Sequence, residues 1–359
     1  MVSGYPSALP AASPPQAGLR GLARRLLTHP LVLRGASALS GGHATICFLH
    51  RFSEAEDGSG AFPVPVLRSH LQWLRSHRFR LVSLGTLLDE LHEGKPILPR
   101  TVVFTIDDGY ADFQQLASPV FEEFDCPATV FLVTGFIDDG AWLWWNRIEY
   151  GFAHTLLKEW RLEAAGAALD QGRTDAHQRQ IAAETVTERL KWLPAGQRDA
   201  AIKALLTTLE VDIPSRATSE FAPMTWAEIR ALNGGLFSFG PHTVTHPVLS
   251  LESDASARAE IAGSWSRVQT EVPGAVQAFC FPNGDPPSFG PRELGILSEI
   301  GPLASVSTSQ RSVSARIGLP KSERLMAPLP RFQLESDFAR FVQVVSGVDR
   351  LKEFLRWNR

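Results

Sequence analysis

The stretch that most constrains the fold is residues 101–110, Thr-Val-Val-Phe-Thr-Ile-Asp-Asp-Gly-Tyr. Its β-branched and aromatic residues predict a buried strand that ends on two adjacent acids, Asp107 and Asp108. Enzymes with α/β folds place their chemistry at such strand ends. Neighbouring side chains on a strand point to opposite faces, so both acids can share a pocket only where the chain turns, and Gly109 permits that turn. One acid can then hold a metal while the other handles a proton, although ordinary turn chemistry is the better explanation of Asp-Asp-Gly alone.

A second apolar run, residues 236–240, is followed by two histidines four residues apart, His242 and His246. Neutral imidazole is a common ligand of zinc-like metals, and this spacing lets two rings converge on one point. Pro247 disfavours a helical conformation at His246, so the pair is predicted on a loop or a single turn. A lone histidine is usually a surface or core residue with a local hydrogen bond. The combination with a strand-end Asp-Asp instead favours a metal-ligand set of Asp108, His242 and His246.

Apolar strands and amphipathic helices alternate along the chain from Ala44 onward. This alternation predicts a parallel sheet, in the simplest case a barrel with its site at the carboxyl ends of the strands. Between about residues 138 and 221 the strand pattern disappears, and the Ala-, Glu-, Arg- and Leu-rich composition predicts a helical insertion. The predicted strands are 44–50, 80–84, 101–107, 128–133, 236–240, 276–281 and 304–309. The predicted helices are 66–77, 86–92, a stretch that follows the strand 101–107 and runs through residue 124 with an interruption at Pro119, 181–193, 200–209, 256–270, 292–300, 337–345 and 349–357.

These motifs resemble those of the polysaccharide deacetylases, the carbohydrate esterases with NodB homology. The matching segments are weak singly but specific together: residues 48–52, 105–110, 127–135, 224–226, 242–246, 281–285 and 329–331. The resemblance implies an α/β fold of the distorted (β/α)7 barrel type, with about seven strands instead of the regular eight. It also implies that Asp107 is the catalytic base and that Asp108 binds a metal together with His242 and His246.

His50 ends the first predicted strand as Asp107 ends the third, so both are expected at one mouth of the barrel. In the usual family order a Leu-x-His motif near the C-terminus supplies the general acid, but no histidine follows His246 here. Residues 48–50, Phe-Leu-His, resemble that motif moved to the front, as in circularly permuted members of the family. The resemblance therefore gives His50 the general-acid role. A histidine that only hydrogen-bonds a carboxylate is the alternative.

Three further predictions concern the surroundings of this site. Where many relatives have an arginine that orients the base, residues 280–283 of this chain are Cys-Phe-Pro-Asn, so Arg331 is the predicted replacement, with a plain salt bridge as the alternative. Asn283 and Gly284 are predicted to present a backbone N–H to an oxyanion. Trp144 lies in the aromatic start of the insertion and is predicted to stack on a sugar ring. Packing of the insertion onto the barrel is the other explanation for the tryptophans there.

The composition is that of an ordinary folded protein, with 44% hydrophobic and 20% charged residues. A net charge of -3 argues against nucleic-acid binding, which needs concentrated positive charge. The three cysteines lie mostly in apolar runs and are predicted to be buried free thiols, which fits a reducing compartment.

Residues 1–43 differ from the rest because they hold four arginines and no acid. They are predicted to form a basic, partly disordered arm before a barrel over residues 44–359. Residues 18–33 could form a short amphipathic helix on an anionic membrane surface, and a loosely packed arm explains them equally well. No secretory signal is evident, so the expected location is cytoplasmic, either free or membrane-peripheral.

The expected function is that of a metal-dependent hydrolase that removes N-acetyl groups from an amino sugar in a glycan or glycan precursor. Zinc is the default ion for an Asp-His-His set, and cobalt, nickel or another divalent ion also fits. Two alternatives stay open. One is a hydrolase of the same fold that cuts another amide or an ester, and the other is a catalytically silent relative that only binds carbohydrate. The presence of both Asp107 and Asp108 argues against the silent relative, since a pure binder needs no base.

Overall fold

The strands lie close to their predicted positions and bring the predicted site to one edge of a sheet. A computed structural model describes residues 42–55, 60–164, 167–172, 175–314 and 327–348. The predicted arm up to residue 41 and the predicted helix over 349–357 lie outside these ranges. The strands are β1 (His43–Leu49), β2 (Phe52–Ser53), β3 (Phe62–Pro63), β4 (Arg80–Leu81), β5 (Thr101–Ile106), β6 (Ala128–Leu132), β7 (Glu159–Ala164), β8 (Ala167–Gly172), β9 (Phe237–Pro241), β10 (Ala278–Cys280), β11 (Ala304–Ser307), β12 (Val313–Ser314), β13 (Leu329–Pro330) and β14 (Phe332–Gln333).

The helices pack around these strands and connect them. They are α1 (Val64–Ser76), α2 (Leu84–Glu93), α3 (Ser118–Glu123), α4 (Thr134–Asp139), α5 (Trp144–His154), α6 (Ala176–Leu190), α7 (Ala195–Thr208), α8 (Trp226–Leu232), α9 (Asp254–Glu271), α10 (Pro291–Ile300) and α11 (Phe338–Val345). A π-helical turn over Phe113–Ala117 precedes α3, and Pro119 lies in the first turn of that helix, where its missing N–H costs nothing. None of the described helices is long and apolar enough to span a membrane.

The main sheet has the parallel order predicted from the alternation of strands and helices. Its strands run β12-β1-β5-β6-β9, with β14 also beside β1 and β4 also beside β5. Every one of these pairs is parallel except that of β12 with β1. A separate parallel sheet has the order β10-β11-β13. The protein is therefore an α/β fold with a mostly parallel central sheet.

The two sheets approach each other at both edges without a continuous ladder among the described residues. On one side, β13 pairs with β11 and β14 pairs with β1, and only Arg331 separates β13 from β14. On the other side, a single backbone bond joins Val276 N–H to the carbonyl of Phe239, 2.9 Å from nitrogen to oxygen. The closed barrel implied by the family resemblance thus stays a prediction.

The central strand β5 is buried along its whole length, as expected for a strand covered on both faces. Val102, Phe104 and Ile106 pack into a core shared with α1. Val103 points the other way, into a core that includes β1, α2 and β11. The alternation of side chains along β5 therefore fixes the strand between two layers, and its carboxyl end is held in place from both sides.

The insertion has its own core, and it contains a β-hairpin in addition to helices. Helices α6 and α7 occupy the positions predicted for helices, but β7 and β8 form an antiparallel hairpin between α5 and α6. Trp160 and Leu162 alternate with Arg161 and Glu163, which is a strand pattern. Alanines at 164, 167 and 168 hide that pattern, because alanine is typical of helices.

Candidate active site

Three strands of the main sheet end at the same edge and are each followed by a predicted site residue. Leu49 of β1 pairs with Ile106 of β5, and Leu132 of β6 pairs with Pro241 of β9. His50, Asp107 and His242 come directly after β1, β5 and β9. Parallel strands share one carboxyl edge, so all three residues lie at the same end of the sheet.

The chain turns immediately after Asp107, as the sequence predicts. Asp108 and Gly109 both have left-handed backbone conformations, with φ of 74° and 91°. A Cβ on Gly109 would lie 2.8 Å from Cδ2 of Leu132, so this position requires glycine for both conformation and space. The turn buries both Asp107 and Asp108, which are 2% and 3% exposed.

Asp108, His242 and His246 converge on one point. Asp108 Oδ1 lies 3.7 Å from His242 Nε2 and 3.8 Å from His246 Nε2. Two ligands about 2.1 Å from a tetrahedral zinc ion are about 3.4 Å apart, so the three atoms are close to ligating positions. Asp108 Oδ1 is buried with no hydrogen-bond partner among the described residues. An orphaned buried oxygen beside two imidazoles fits a divalent cation.

The protonation states of these side chains also fit a cation. Burial raises the pKa of Asp108, and the neighbouring Asp107 carboxylate raises it further. A bound cation would offset that repulsion and keep the acid ionised. Burial lowers the pKa of His242 to about 4 and holds that of His246 well below its ordinary value. Both imidazoles are therefore neutral at pH 7, which is the form that binds metals.

A second grouping, of Asp107, His242 and Cys280, is compact enough to hold an ion but chemically unsuitable. His242 Nδ1 donates to the carbonyl of Cys280 at 2.9 Å, which leaves Nε2 for the Asp108 side. Both Asp107 oxygens accept hydrogen bonds from Arg331, and Arg331 also donates to the Cys280 sulfur. A cation placed there would lie beside a guanidinium, so the structure favours the Asp108 set.

Arg331 makes the contact predicted for a residue that orients the base. It is 0% exposed and forms a two-pronged ion pair with Asp107, at 2.7 Å from Nη1 and 2.8 Å from Nη2. Burial alone raises the pKa of Asp107, but the Arg331 charge and hydrogen bonds outweigh burial and hold that pKa well below its ordinary value. Asp107 is therefore ionised at neutral pH, with its orientation fixed.

The loop that carries His246 is held by residues that the sequence did not single out. Thr243 and His246 both have left-handed backbones, with φ of 65° and 57°, which costs free energy for side chains of this kind. The Thr243 hydroxyl accepts from the His246 N–H at 3.1 Å. Glu260 of α9 accepts from the N–H groups of Val244 and Thr245 at 2.8 and 2.9 Å. A lone glutamate on a helix carries no sequence signal of such a role.

A cavity of about 320 Å³ opens above Asp108 and His246, and the insertion forms one of its walls. Its lining includes Trp144, Trp145, Asn146 and Glu149 of α5, Thr187 and Glu188 of α6, and Lys191 just after α6. The lining residues from outside the insertion also include His50, Arg51, Gly60, Ala61, Tyr110 and Asn283. The insertion is thus part of the site.

Trp145 connects this wall to the ligand set. Its ring lies edge-on to the His246 ring, with centroids 4.7 Å apart. Its indole N–H donates to the Tyr110 hydroxyl at 3.1 Å, and that hydroxyl donates to Asn146 Oδ1 at 2.6 Å. Tyr110 directly follows Asp107-Asp108-Gly109, and Trp145 also contacts His246. The insertion therefore connects the Asp-Asp-Gly motif with the histidine motif.

The remaining predicted residues lie at or near the cavity. His50 lines the cavity; desolvation lowers its pKa, and the nearby Asp107 carboxylate partly opposes that shift. Asn283 lines the cavity and has a left-handed backbone with φ of 62°. Gly284 is absent from the described lining, and a Cβ at this position would lie 2.7 Å from the backbone nitrogen of Thr308. Trp144 lines the cavity but is only 7% exposed, because it packs in the insertion core.

Comparison with known proteins confirms the family resemblance. A family model for polysaccharide deacetylase matches residues 95–189, which include Asp107 and Asp108. Poly-beta-1,6-N-acetyl-D-glucosamine N-deacetylase of Escherichia coli K12 is 33% identical over 75 residues, or 21% of this chain. The match spans only 11% of that relative's length. Residues 95–189 therefore match the polysaccharide deacetylase family.

Solved structures show the same fold over most of the chain. The Streptococcus pyogenes deacetylase PplD in complex with acetate has a TM-score of 0.55 at 14% identity, covering 85% of this chain and 99% of its own. IcaB from Ammonifex degensii has a TM-score of 0.54 at 15% identity, covering 86% and 98%. A de-N-acetylase from Aggregatibacter actinomycetemcomitans has a TM-score of 0.52 at 14% identity, covering 84% and 99%.

Proposed function

We propose that the protein is a divalent-metal-dependent N-deacetylase that acts on an N-acetylated amino sugar in a glycan or glycan precursor. The observation that carries this proposal is the convergence of Asp108 Oδ1 with His242 Nε2 and His246 Nε2 beside the ionised Asp107. The deacetylase domain and the names of the similar proteins support the substrate class. We also propose that the two sheets close into a barrel. Only Arg331 separates β13, which pairs with the second sheet, from β14, which pairs with the main sheet, and this short connection supports closure.

Asp108, His242 and His246 would hold the ion, with zinc as the first choice and cobalt or nickel as alternatives. When bound, such an ion supplies a Lewis acid that activates water and polarises a carbonyl oxygen. Asp107 accepts the proton of the attacking water, and Arg331 keeps its carboxylate oriented and charged. The ion pair thus prepares the base before substrate arrives.

His50 donates a proton to the departing amine, which is a poor leaving group without that proton. Its exposed ring at the cavity wall and its position beside Asp107 support this role. The backbone at Asn283 stabilises the oxyanion of the tetrahedral intermediate, and the cavity surrounds the acetamide. The products are acetate and an amino sugar.

Acetate release is the direct test. Metal-loaded protein should release acetate from N-acetylhexosamine oligomers or from a nucleotide-linked N-acetyl sugar, and a chelator should stop the release until metal is restored. Activity that survives complete chelation would contradict the metal mechanism. Binding of the sugars without acetate release would favour the catalytically silent relative. Release of acid from other amides or from esters only would favour the hydrolase of different specificity.

A further inference from the structure

A carboxylate of the insertion lines the cavity and has no role in the mechanism proposed above. Glu149 of α5 is partly buried at this wall, and its Oε2 accepts a hydrogen bond from Asn146 Nδ2 at 3.3 Å. Within the described ranges this is the one hydrogen bond that the carboxylate receives. The second oxygen, Oε1, is therefore left for a water molecule or a ligand in the cavity.

The Glu149 carboxylate is held by a chain of hydrogen bonds that runs in one direction. The Trp145 indole N–H donates to the Tyr110 hydroxyl at 3.1 Å, and that hydroxyl donates to Asn146 Oδ1 at 2.6 Å. Because Asn146 uses its oxygen for Tyr110, its amide N–H group is the part that donates to Glu149. Successive bonds of this kind polarise one another. The chain therefore orients the carboxylate before any ligand arrives.

The charges around this wall leave that of Glu149 uncompensated. Arg51 lines the cavity, but its Nε donates to Asp112 Oδ2 at 2.8 Å, so its charge already has a partner. Glu188 and Lys191 also line the cavity, and side chains three positions apart share one side of a helix, so their opposite charges offset each other. Glu149 therefore adds net negative charge to its side of the cavity.

A group of this kind discriminates between ligands by their charge. A carboxylate only accepts hydrogen bonds, so it suits the hydroxyl groups of a neutral sugar. An anionic substituent at the same place would meet a like charge several ångströms away in a partly desolvated cavity, where repulsion is weakly screened. Specificity often depends on such a repulsive element as much as on attraction.

We propose that Glu149 is a specificity-determining residue, which admits N-acetylated sugars that are uncharged where they face the insertion and rejects those that carry an anionic substituent there. The substrate unit is thus a neutral N-acetylhexosamine and not a sugar acid. The inference rests on the proposed deacetylase function and specifies the charge of the sugar unit on which that function acts.

The test compares sugar acids with their carboxamides. Derivatives of N-acetylglucosamine carry a carboxylate either at C6 or on a lactyl ether at O3, and each matching carboxamide has nearly the same shape without the charge. Every compound is measured as a competitive inhibitor of acetate release by metal-loaded protein from its best substrate. Burial raises the pKa of Glu149, while the Arg51 charge and the Asn146 hydrogen bond oppose that rise, so assays at about pH 8 keep Glu149 ionised.

The wild type should bind the carboxamides more tightly than the acids. In Glu149→Gln the ratio of the two inhibition constants should shift about tenfold in favour of the acid for at least one pair, equivalent to about 1.4 kcal/mol. Glutamine has the shape of glutamate and can still accept from Asn146, so the loss of charge is what the comparison isolates.

Two controls separate this role from a structural one. Glu149→Asp keeps the charge and should retain most of the preference for the carboxamides. Glu184→Gln removes the same charge from an exposed position on α6 that is absent from the described lining, and should leave the ratios unchanged. Melting temperatures and metal contents of all variants identify any loss of folding or of the ion.

The possible failures are distinguishable. Acids that inhibit the wild type as well as their carboxamides do, or ratios that Glu149→Gln does not change, overturn the selection by charge while acetate release upholds the deacetylase. An equal shift in Glu184→Gln also overturns it, because the effect would then come from the net charge of the protein. Carboxamides that fail to compete overturn it as well. Absence of acetate release from every substrate refutes the proposed function, and the inference falls with it.

Discussion

Replacing Arg331 by methionine should cost the protein a large part of its stability. The guanidinium is fully buried, and both of its outer nitrogens donate to the Asp107 carboxylate. The substitution leaves that carboxylate buried and unpaired, and breaking a buried pair in this way costs about 3–5 kcal/mol. A typical domain is stable by only about 5–15 kcal/mol, so the loss should be plain in urea unfolding.

The cause is tested by removing the second charge as well. Asp107→Asn combined with Arg331→Met eliminates the uncompensated carboxylate, so the double variant should lose less stability than the two single variants together. For residues in direct contact, coupling of about 0.5–3 kcal/mol is usual, and we expect the upper part of that range. Additivity to within about 0.5 kcal/mol would refute the reasoning.

Arg68→Met is the matched control. Arg68 and Glu123 form an ion pair at 2.9 Å, but their side chains are 48% and 46% exposed. Loss of such a surface pair costs about 0–1 kcal/mol. A cost as large as that of Arg331→Met would show that burial is not what makes the Asp107 pair important.

The contribution of Asp107 to the free energy of unfolding should change with pH in opposite directions in the wild type and in Arg331→Met. In the wild type the native pKa of Asp107 lies below its unfolded value of about 3.9, so its contribution is present above that pH and is lost as the pH falls. Without Arg331, burial dominates and raises the native pKa above the unfolded value. Asp107 then destabilises the variant as the pH rises from about 4 to 7. Urea unfolding of Arg331→Met in chelator, relative to the double variant, should show this decline, and a rising or flat difference would contradict it.

Three other outcomes follow from named contacts. His242→Ala should abolish stoichiometric metal binding in elemental analysis, and should also abolish the rise in melting temperature that added metal gives the wild type. Trp145→Ala should weaken metal affinity by about 10–100-fold in competition with a chelating dye, whereas Trp145→Phe keeps a ring against His246; equal affinities would exclude the supporting role. His70 stacks on Phe341 at 3.9 Å between ring centres, with neither ring nitrogen hydrogen-bonded in the described ranges, and burial lowers its pKa to about 4. Its native pKa lies below the unfolded value of about 6.5, so stability should fall by up to about 3 kcal/mol as the pH drops from 6.5 toward 4, and His70→Phe should remove that slope.

The convergence of Asp108, His242 and His246 was predictable because it depends on local patterns and one rule of topology. Asp108 and His242 each follow a short apolar run, and parallel strands end at a common edge. Their proximity could therefore be inferred without any knowledge of contacts between residues distant in sequence. The partner of Asp107 was found only through family resemblance, because no feature of residues 329–331 by themselves distinguishes Arg331 from a surface arginine.

The supports of the site were not predictable in the same way. Glu260 binds the His246 loop from α9, a helix whose sequence gives no sign of that contact. Trp145 reaches His246 only because the whole insertion folds over the cavity, which depends on packing between α5, α6 and α7. The hairpin of β7 and β8 was missed since its alanines favour helix when they are considered locally. Each miss concerns a contact set by tertiary packing.

The backbone around His246 explains why these supports are needed. Thr243 and His246 occupy left-handed conformations that cost on the order of 1–3 kcal/mol each, and a free loop would relax out of them. The loop is held by Glu260 on one side and by Thr134 N–H and Gly135 N–H, which bond the carbonyls of Thr243 and Val244, on another. Trp145 closes the third side with its ring. The insertion contacts His246 through Trp145 and also lines the cavity, so we expect a change in its packing to alter metal affinity and substrate preference together.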